Sequence, residues 1–145
     1  MATAGRALQT DAELRELLAR TQRIAVLGIK TESQRGQPAI EVPRYLERAG
    51  FDVVPVPVYY PEVETILARP VFRRLVDVPG DIDLVDVFRR SKDLMPHLDD
   101  LLAKQPKAVW LQSGIRDDAF AARLMEAGID VVQDRCLMVE HRRLA

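Results

Sequence analysis

The stretch Ile24-Ala-Val-Leu-Gly28 decides the fold. An unbroken apolar run stopped by glycine suits a strand covered on both faces, because a half-exposed strand alternates apolar with polar residues. The pattern returns at Val53-Val-Pro-Val56, Leu84-Val-Asp-Val-Phe88, Ala108-Val-Trp-Leu111 and Ile129-Asp-Val-Val132. Pro55 removes a ladder donor, which predicts that the second strand is short or ends early. Asp86 interrupts the third run and needs a partner or water if it is buried.

Helical signals separate these runs. Thr10-Asp-Ala-Glu13 reads as a capping box opening a helix over about 10–20, with Leu14, Leu17 and Leu18 behind it. Val42, Tyr45, Leu46 and Ala49 hold helical spacing, and Gly50 follows as a stop. Leu94, Leu98, Leu101 and Leu102 predict a helix over 91–103, with Ser91 as its N-cap. Further helices are expected over 117–127 and about 136–144. Residues 57–80 hold four prolines, with short helical turns expected around 62–67 and 71–75. Parallel neighbours need crossover connections, so five strands alternating with helices predict an α/β fold. Its expected form is a Rossmann-like, doubly wound sandwich around a five-stranded parallel sheet. Residues 1–9 are expected as a flexible leader and 10–145 as one domain.

Composition narrows the function classes. The chain has 145 residues, 48% hydrophobic and 30% charged, with a net charge of -1. This balance gives no reason to expect binding to a nucleic-acid backbone. No apolar run approaches the roughly 20 residues of a membrane span, and the first 20 residues lack the apolar centre of a secretory signal. One cysteine and two histidines give neither a disulfide scaffold nor a convincing metal site. A reducing cytoplasm is the expected compartment.

In a doubly wound sheet, ligands bind outside the carboxyl ends of the strands, so the loops after each run are where function is sought. The first loop, Gly28-Ile-Lys-Thr-Glu-Ser-Gln-Arg-Gly-Gln-Pro38, is neither GxGxxG nor a P-loop, which demotes a nicotinamide dinucleotide. It carries Lys30 and Arg35, cations suited to phosphate; the same residues also fit a solvated surface loop. Phe88-Arg-Arg-Ser91 follows the third run, and arginine forks match phosphate oxygens. Cations at a helix start oppose the helix dipole, which favours a functional role for them. After the fourth run, Gln112 and Ser113 offer donors and acceptors, and Gly114 permits a sharp turn. Trp110 reads as core. Cys136 stands near a helix start, with no histidine close in sequence, and reads as a packed thiol. Asp99-Asp100 and Asp117-Asp118 diverge on their helices and read as solvated faces.

With these segments in place, residues 10–144 resemble the small bacterial CoA-binding proteins of the CoA-binding domain family. The matching segments are Ile24–Gly28, Val42-Pro-Arg-Tyr-Leu46 with Ala-Gly-Phe51, Val54-Pro-Val-Pro57, Asp83-Leu-Val-Asp-Val-Phe-Arg89, Val109-Trp-Leu-Gln-Ser-Gly-Ile115, and Asp134-Arg-Cys136 with Glu140-His141. The same fold forms the N-terminal part of the succinyl-CoA ligase α subunit. The resemblance implies that coenzyme A or an acyl-CoA lies along the strand ends. It places Gly28, Ile29, Lys30 and Arg35 at the phosphates and Pro57 and Val58 beside the adenosine. Val87, Phe88 and Arg89 would line the middle, and Gln112, Ser113, Gly114 and Ile115 the pantetheine arm. Two departures fall at the nucleotide end. The family's Asn-Pro pair is replaced by Pro57-Val-Tyr-Tyr-Pro61, and Ser33 stands where a proline usually precedes the arginine, with Gly36 and Gln37 as extra residues. The expected role is a non-catalytic binding module for a small-molecule CoA ligand, without nucleic acid or membrane. The alternatives are an enzyme acting on an acyl-CoA or a nicotinamide nucleotide, using Cys136 or His97, and a CoA-sensing regulator of an unknown protein partner.

Overall fold

Alternate residues of the first strand enter opposite halves of the core. A computed structural model describes residues 3–145. In β1 (Arg23–Leu27), Ile24 and Val26 pack into one apolar cluster while Ala25 and Leu27 pack into another. A strand with two buried faces must lie inside a sheet covered on both sides. β1 sits between β2 (Asp52–Val56) and β5 (Leu84–Val87), followed by β6 (Ala108–Leu111) and β7 (Asp130–Val132). All four pairings are parallel, giving a five-stranded sheet of order β2-β1-β5-β6-β7.

Three helices cover one face and two the other. α1 (Asp11–Ala19), α2 (Pro38–Arg48) and α5 (Leu137–Leu144) contribute Leu17, Ile40 and Leu137 to the cluster around Trp110. α3 (Leu98–Lys104) and α4 (Asp118–Glu126) contribute Leu101, Phe120 and Leu124 to the other. The capping box forms as expected: the Thr10 hydroxyl accepts from the Glu13 amide at 3.2 Å, and the Glu13 carboxylate accepts from the Thr10 amide at 3.0 Å. No helix among the described residues is long and apolar enough to cross a membrane.

Four expectations are corrected. β2 does not end early, because Pro55 occupies a position that faces away from β1. At the two ends of β2, Asp52 and Val56 bond to Gln22 and Gly28 on the β1 side, whereas the Pro55 carbonyl accepts from Phe72 N–H at 3.0 Å on the outer side. The missing N–H therefore costs the ladder nothing on this edge strand. The helix expected over 91–103 is divided. Ser91–Asp93 and Met95–His97 are single 3₁₀ turns, and α3 begins only at Leu98. Pro96 lacks a helical donor and disfavours the α conformation before it. Ser91 is no N-cap; its hydroxyl accepts from the Arg116 amide at 3.0 Å. Around 62–67 there is a hairpin rather than a helical turn, with β3 (Thr65–Ile66) antiparallel to β4 (Arg69–Pro70). Leu67 and Ala68 both take positive φ between its strands, the geometry of a type I′ turn without its usual residues. Around 71–75, the only helical residues belong to a 3₁₀ turn at Leu75–Asp77.

Within the stretch expected as a flexible leader, residues 5–8 lie along β7. Leu8 is buried, its amide donates to the Val131 carbonyl at 2.9 Å, and the Val131 amide donates to Arg6. Ala7 forms a parallel bridge with Val131.

Asp86 is wholly buried, level with Val26 and Trp110 on the neighbouring strands. Its partner is Gln112, whose Nε2 donates to Oδ1 at 2.5 Å, while Oδ2 has no hydrogen-bond partner among the described residues. Burial pushes the Asp86 carboxyl up to about 7, against the opposing pull of the Gln112 amide. The folded protein thus holds a proton there that the unfolded chain releases near pH 4. That contribution to stability is complete below pH 4 and is lost as pH rises toward 7. Asp86→Asn removes the titration and keeps an acceptor for Gln112. Urea unfolding from pH 5 to pH 8 is expected to show the parent losing about 2.5 kcal/mol relative to this variant. Parallel curves for the two proteins would contradict the assignment.

Candidate functional site

Strand order reverses between β1 and β5: the chain passes from β1 outward to β2, then returns beyond β1 to β5. A crevice is expected where the two loops part, at the carboxyl ends of these strands. Here the loops first touch. The Gly28 amide donates to Val56 at 2.9 Å and the Phe88 amide to Leu27 at 2.8 Å. Gly28 has φ +87°, and a Cβ there would lie 2.3 Å from the Phe88 carbonyl oxygen. Only glycine lets the two loops meet this closely, so the floor of the crevice is bare backbone.

Arg89 lies over that floor, its Cδ 3.3 Å from where the Cβ of residue 28 would stand. Its Nε donates to His97 Nε2 at 3.2 Å and its Nη1 to the Tyr59 hydroxyl at 3.3 Å, with the guanidinium 5.6 Å from the Tyr59 ring centre. Burial, and then the Arg89 charge, hold the His97 imidazole below its usual pKa. The hydrogen bond from Arg89 holds the Tyr59 phenol below its usual value. No carboxylate pairs with Arg89 among the described residues, so its charge is available to an anion.

The first loop is pinned by a gap in α2. Pro43 has no N–H to give the Ala39 carbonyl one turn earlier, and the Lys30 amide fills that place at 3.0 Å. The Lys30 ammonium folds back onto the Gln37 side chain at the start of α2. Arg35 stands exposed before Gly36 and makes none of these contacts. The structure therefore unites Gly28, Phe88 and Arg89, sets Lys30 two residues along the same loop, and leaves Arg35 apart.

The other expected residues divide by burial. Ile29 and Val87 point into the core, 1% and 0% exposed, so only their backbones are open to a ligand. Pro57 is buried and Val58 is exposed. Gln112 is buried against Asp86. Ser113 and Gly114 are exposed, and Ile115 is half-buried with its amide on the Gln112 carbonyl at 2.9 Å.

Two adjoining cavities share Val58 and Arg73. One of about 640 Å³ is framed by Tyr59, Tyr60 and Pro61, and one of about 170 Å³ by Leu27, Leu75 and His97. Arg73 and Arg74 were missed by the sequence reading. Arg73 donates to the carbonyls of Tyr59, Tyr60, Pro61 and Val63, which fixes the loop after β2. Arg74 is held by Asp100 through contacts of 3.1 and 2.7 Å. Their one signal was Phe72-Arg-Arg74, which repeats the Phe88-Arg-Arg90 pattern. No group of three or more His, Cys, Asp or Glu among the described residues is placed to hold a metal ion.

The family model described as CoA binding domain matches residues 22–142. The uncharacterized protein YneT of Bacillus subtilis is 31% identical over 132 residues, 91% of this chain and 94% of that protein. A solved structure from Thermus thermophilus is 45% identical, with a TM-score of 0.86, over 94% of this chain and 100% of the other. A hypothetical protein from Pyrococcus horikoshii is 33% identical, with a TM-score of 0.84, over 99% of this chain and 98% of the other.

The bare floor is tested by Gly28→Ala. A methyl at positive φ against the Phe88 carbonyl is expected to cost at least about 2 kcal/mol in urea unfolding. Unchanged stability would mean that the two loops do not meet here.

Proposed function

The chain belongs to the CoA binding domain family, and on that premise we propose that it is a non-catalytic module for coenzyme A or an acyl-CoA. The ligand lies across the carboxyl ends of β1, β2, β5 and β6. The observation that carries this reading is the Arg89 guanidinium, without a carboxylate partner among the described residues, over a glycine floor at the point where strand order reverses. A diphosphate needs cations and bare amides close together. Arg89, the Lys30 ammonium and the backbone at Gly28 and Ile29 supply them, whereas Arg35 stands apart on its exposed loop and would join them only by a movement of that loop. Pro57 and Val58 border the adenosine. Phe88 and the backbone of Val87 flank the middle of the ligand. Ser113, Gly114 and Ile115 face the pantetheine amides, while Gln112 acts from beneath by anchoring their loop to Asp86.

Engagement of both histidines supports a binding role over a catalytic one. His97 accepts from Arg89, His141 Nδ1 lies 2.6 Å from the Tyr45 hydroxyl, and no hydrogen bond joins either ring to Cys136 among the described residues.

Calorimetric titration with CoA tests the reading. Saturable binding that weakens with added salt is expected, because phosphates are being held by cations. Arg89→Ala is expected to lower affinity about tenfold or more with little change in Tm, since it removes charge-assisted bonds from an open surface. The absence of saturable heat, or an unaltered affinity in Arg89→Ala, would overturn it.

A further inference from the structure

One titratable ring beside the crevice has no part in the binding described so far. His97 ends the second 3₁₀ turn and stands at the start of α3. With Leu27 at the end of β1 and Val58 after β2, it lines the cavity of about 170 Å³. Its Nε2 accepts from Arg89 Nε at 3.2 Å. That bond couples the ring to the guanidinium that lacks a carboxylate partner among the described residues.

A ring nitrogen that accepts a hydrogen bond carries no proton, so His97 is a neutral imidazole in this arrangement. Its surroundings favour that form. Burial, the Arg89 charge and the start of α3 all oppose a cation. Asp100 on α3 and Asp93 in the preceding turn pull the other way, but both are already paired with arginines. Asp100 holds Arg74 through contacts of 3.1 and 2.7 Å, and Asp93 lies 3.1 Å from Arg90. Arg73 adds a further positive charge in the wall of the same cavity, whereas β1 and the loop after β2 contribute only Leu27 and Val58.

An anion on Arg89 reverses this balance. A phosphate bonded along the edge formed by Nε and Nη2 takes the hydrogen that His97 accepts. The ring is then left with a bare acceptor facing negative charge, and one proton corrects both faults. We propose that His97 is a proton-linked phosphate ligand: when the diphosphate of a CoA ligand seats on Arg89, the imidazole takes up one proton from solvent and donates that N–H to the same anion. The inference rests on the CoA reading and gives its site a regulation by pH. The complex holds more protons than its separate partners, so falling pH strengthens binding through the range in which the ring titrates.

Histidine ring signals followed by NMR against pH test this, in the free protein and in the protein saturated with dephospho-CoA. That probe carries the diphosphate without the phosphate monoester, which itself titrates near pH 6, and CoA replaces it if the shorter ligand does not saturate. The chain has two histidines, and His141→Gln tells them apart. The His97 midpoint is expected to move to higher pH on binding, and that of His141, bonded to Tyr45, to stay in place. Calorimetry gives a second readout. His97→Gln keeps an acceptor for Arg89 but takes no proton. From pH 7.5 to pH 6 the affinity of the parent is expected to rise about threefold or more relative to that of the variant. Asp86, with its carboxyl pushed up to about 7, also titrates here, but equally in both proteins, so the comparison isolates the ring. A His97 midpoint that does not rise, or the same pH dependence in both proteins, overturns the proton-linked contact and leaves the CoA reading standing. If neither ligand binds, the CoA reading fails and this contact falls with it.

Discussion

The carboxyl end of the sheet depends on one backbone approach. At Gly28 the turn leaving β1 passes so near the Phe88 carbonyl that a Cβ would stand 2.3 Å from its oxygen. The same turn is tied to β2 through Val56, and its next segment is tied to α2 through the carbonyl that Pro43 leaves without a donor. Two residue types defined by what they lack, a side chain and an N–H, therefore set the geometry of the loop. Arg89 can lie across the strand ends only because position 28 is empty beneath it.

Charge is distributed unevenly over this edge. Toward β1 and β5, Arg89 has an imidazole and a phenol as partners but no carboxylate. Toward β7, Arg116 lies beside Asp118 and Arg135 beside Glu140, while Asp134 accepts a backbone amide. Between them, Asp86 and Gln112 form a buried polar pair beneath the loop that carries Ser113 and Gly114. A protonated Asp86 spares the core a bare charge, which fits a carboxyl whose pKa burial has raised to about 7.

Much of the fold was legible because each strand of the five-stranded sheet is buried on both faces and reads as a nearly continuous apolar run. The same patterning found Gly28 and the arginines after β5. Failures came where partners are remote or turn chemistry is silent. The edge position of β2, and hence the harmlessness of Pro55, depends on sheet order. Leu67 and Ala68 adopt positive φ without the Gly or Asn that would announce it. The leucine spacing at 94–102 carries no sign of the break that Pro96 imposes on it. Asp86 announced itself, whereas Gln112 is 26 residues away and was assigned to the ligand. Burial likewise separates backbone from side chain at Ile29 and Val87, a distinction that a motif match does not make.

Amide chemical shifts followed by NMR during a CoA titration test the central claim most directly. The account predicts saturable shifts concentrated at Gly28, Ile29 and Lys30 after β1, at Phe88 and Arg89 after β5, and at Ser113 and Gly114 after β6. Shifts confined to other faces of the molecule, or none at saturating CoA, would contradict it.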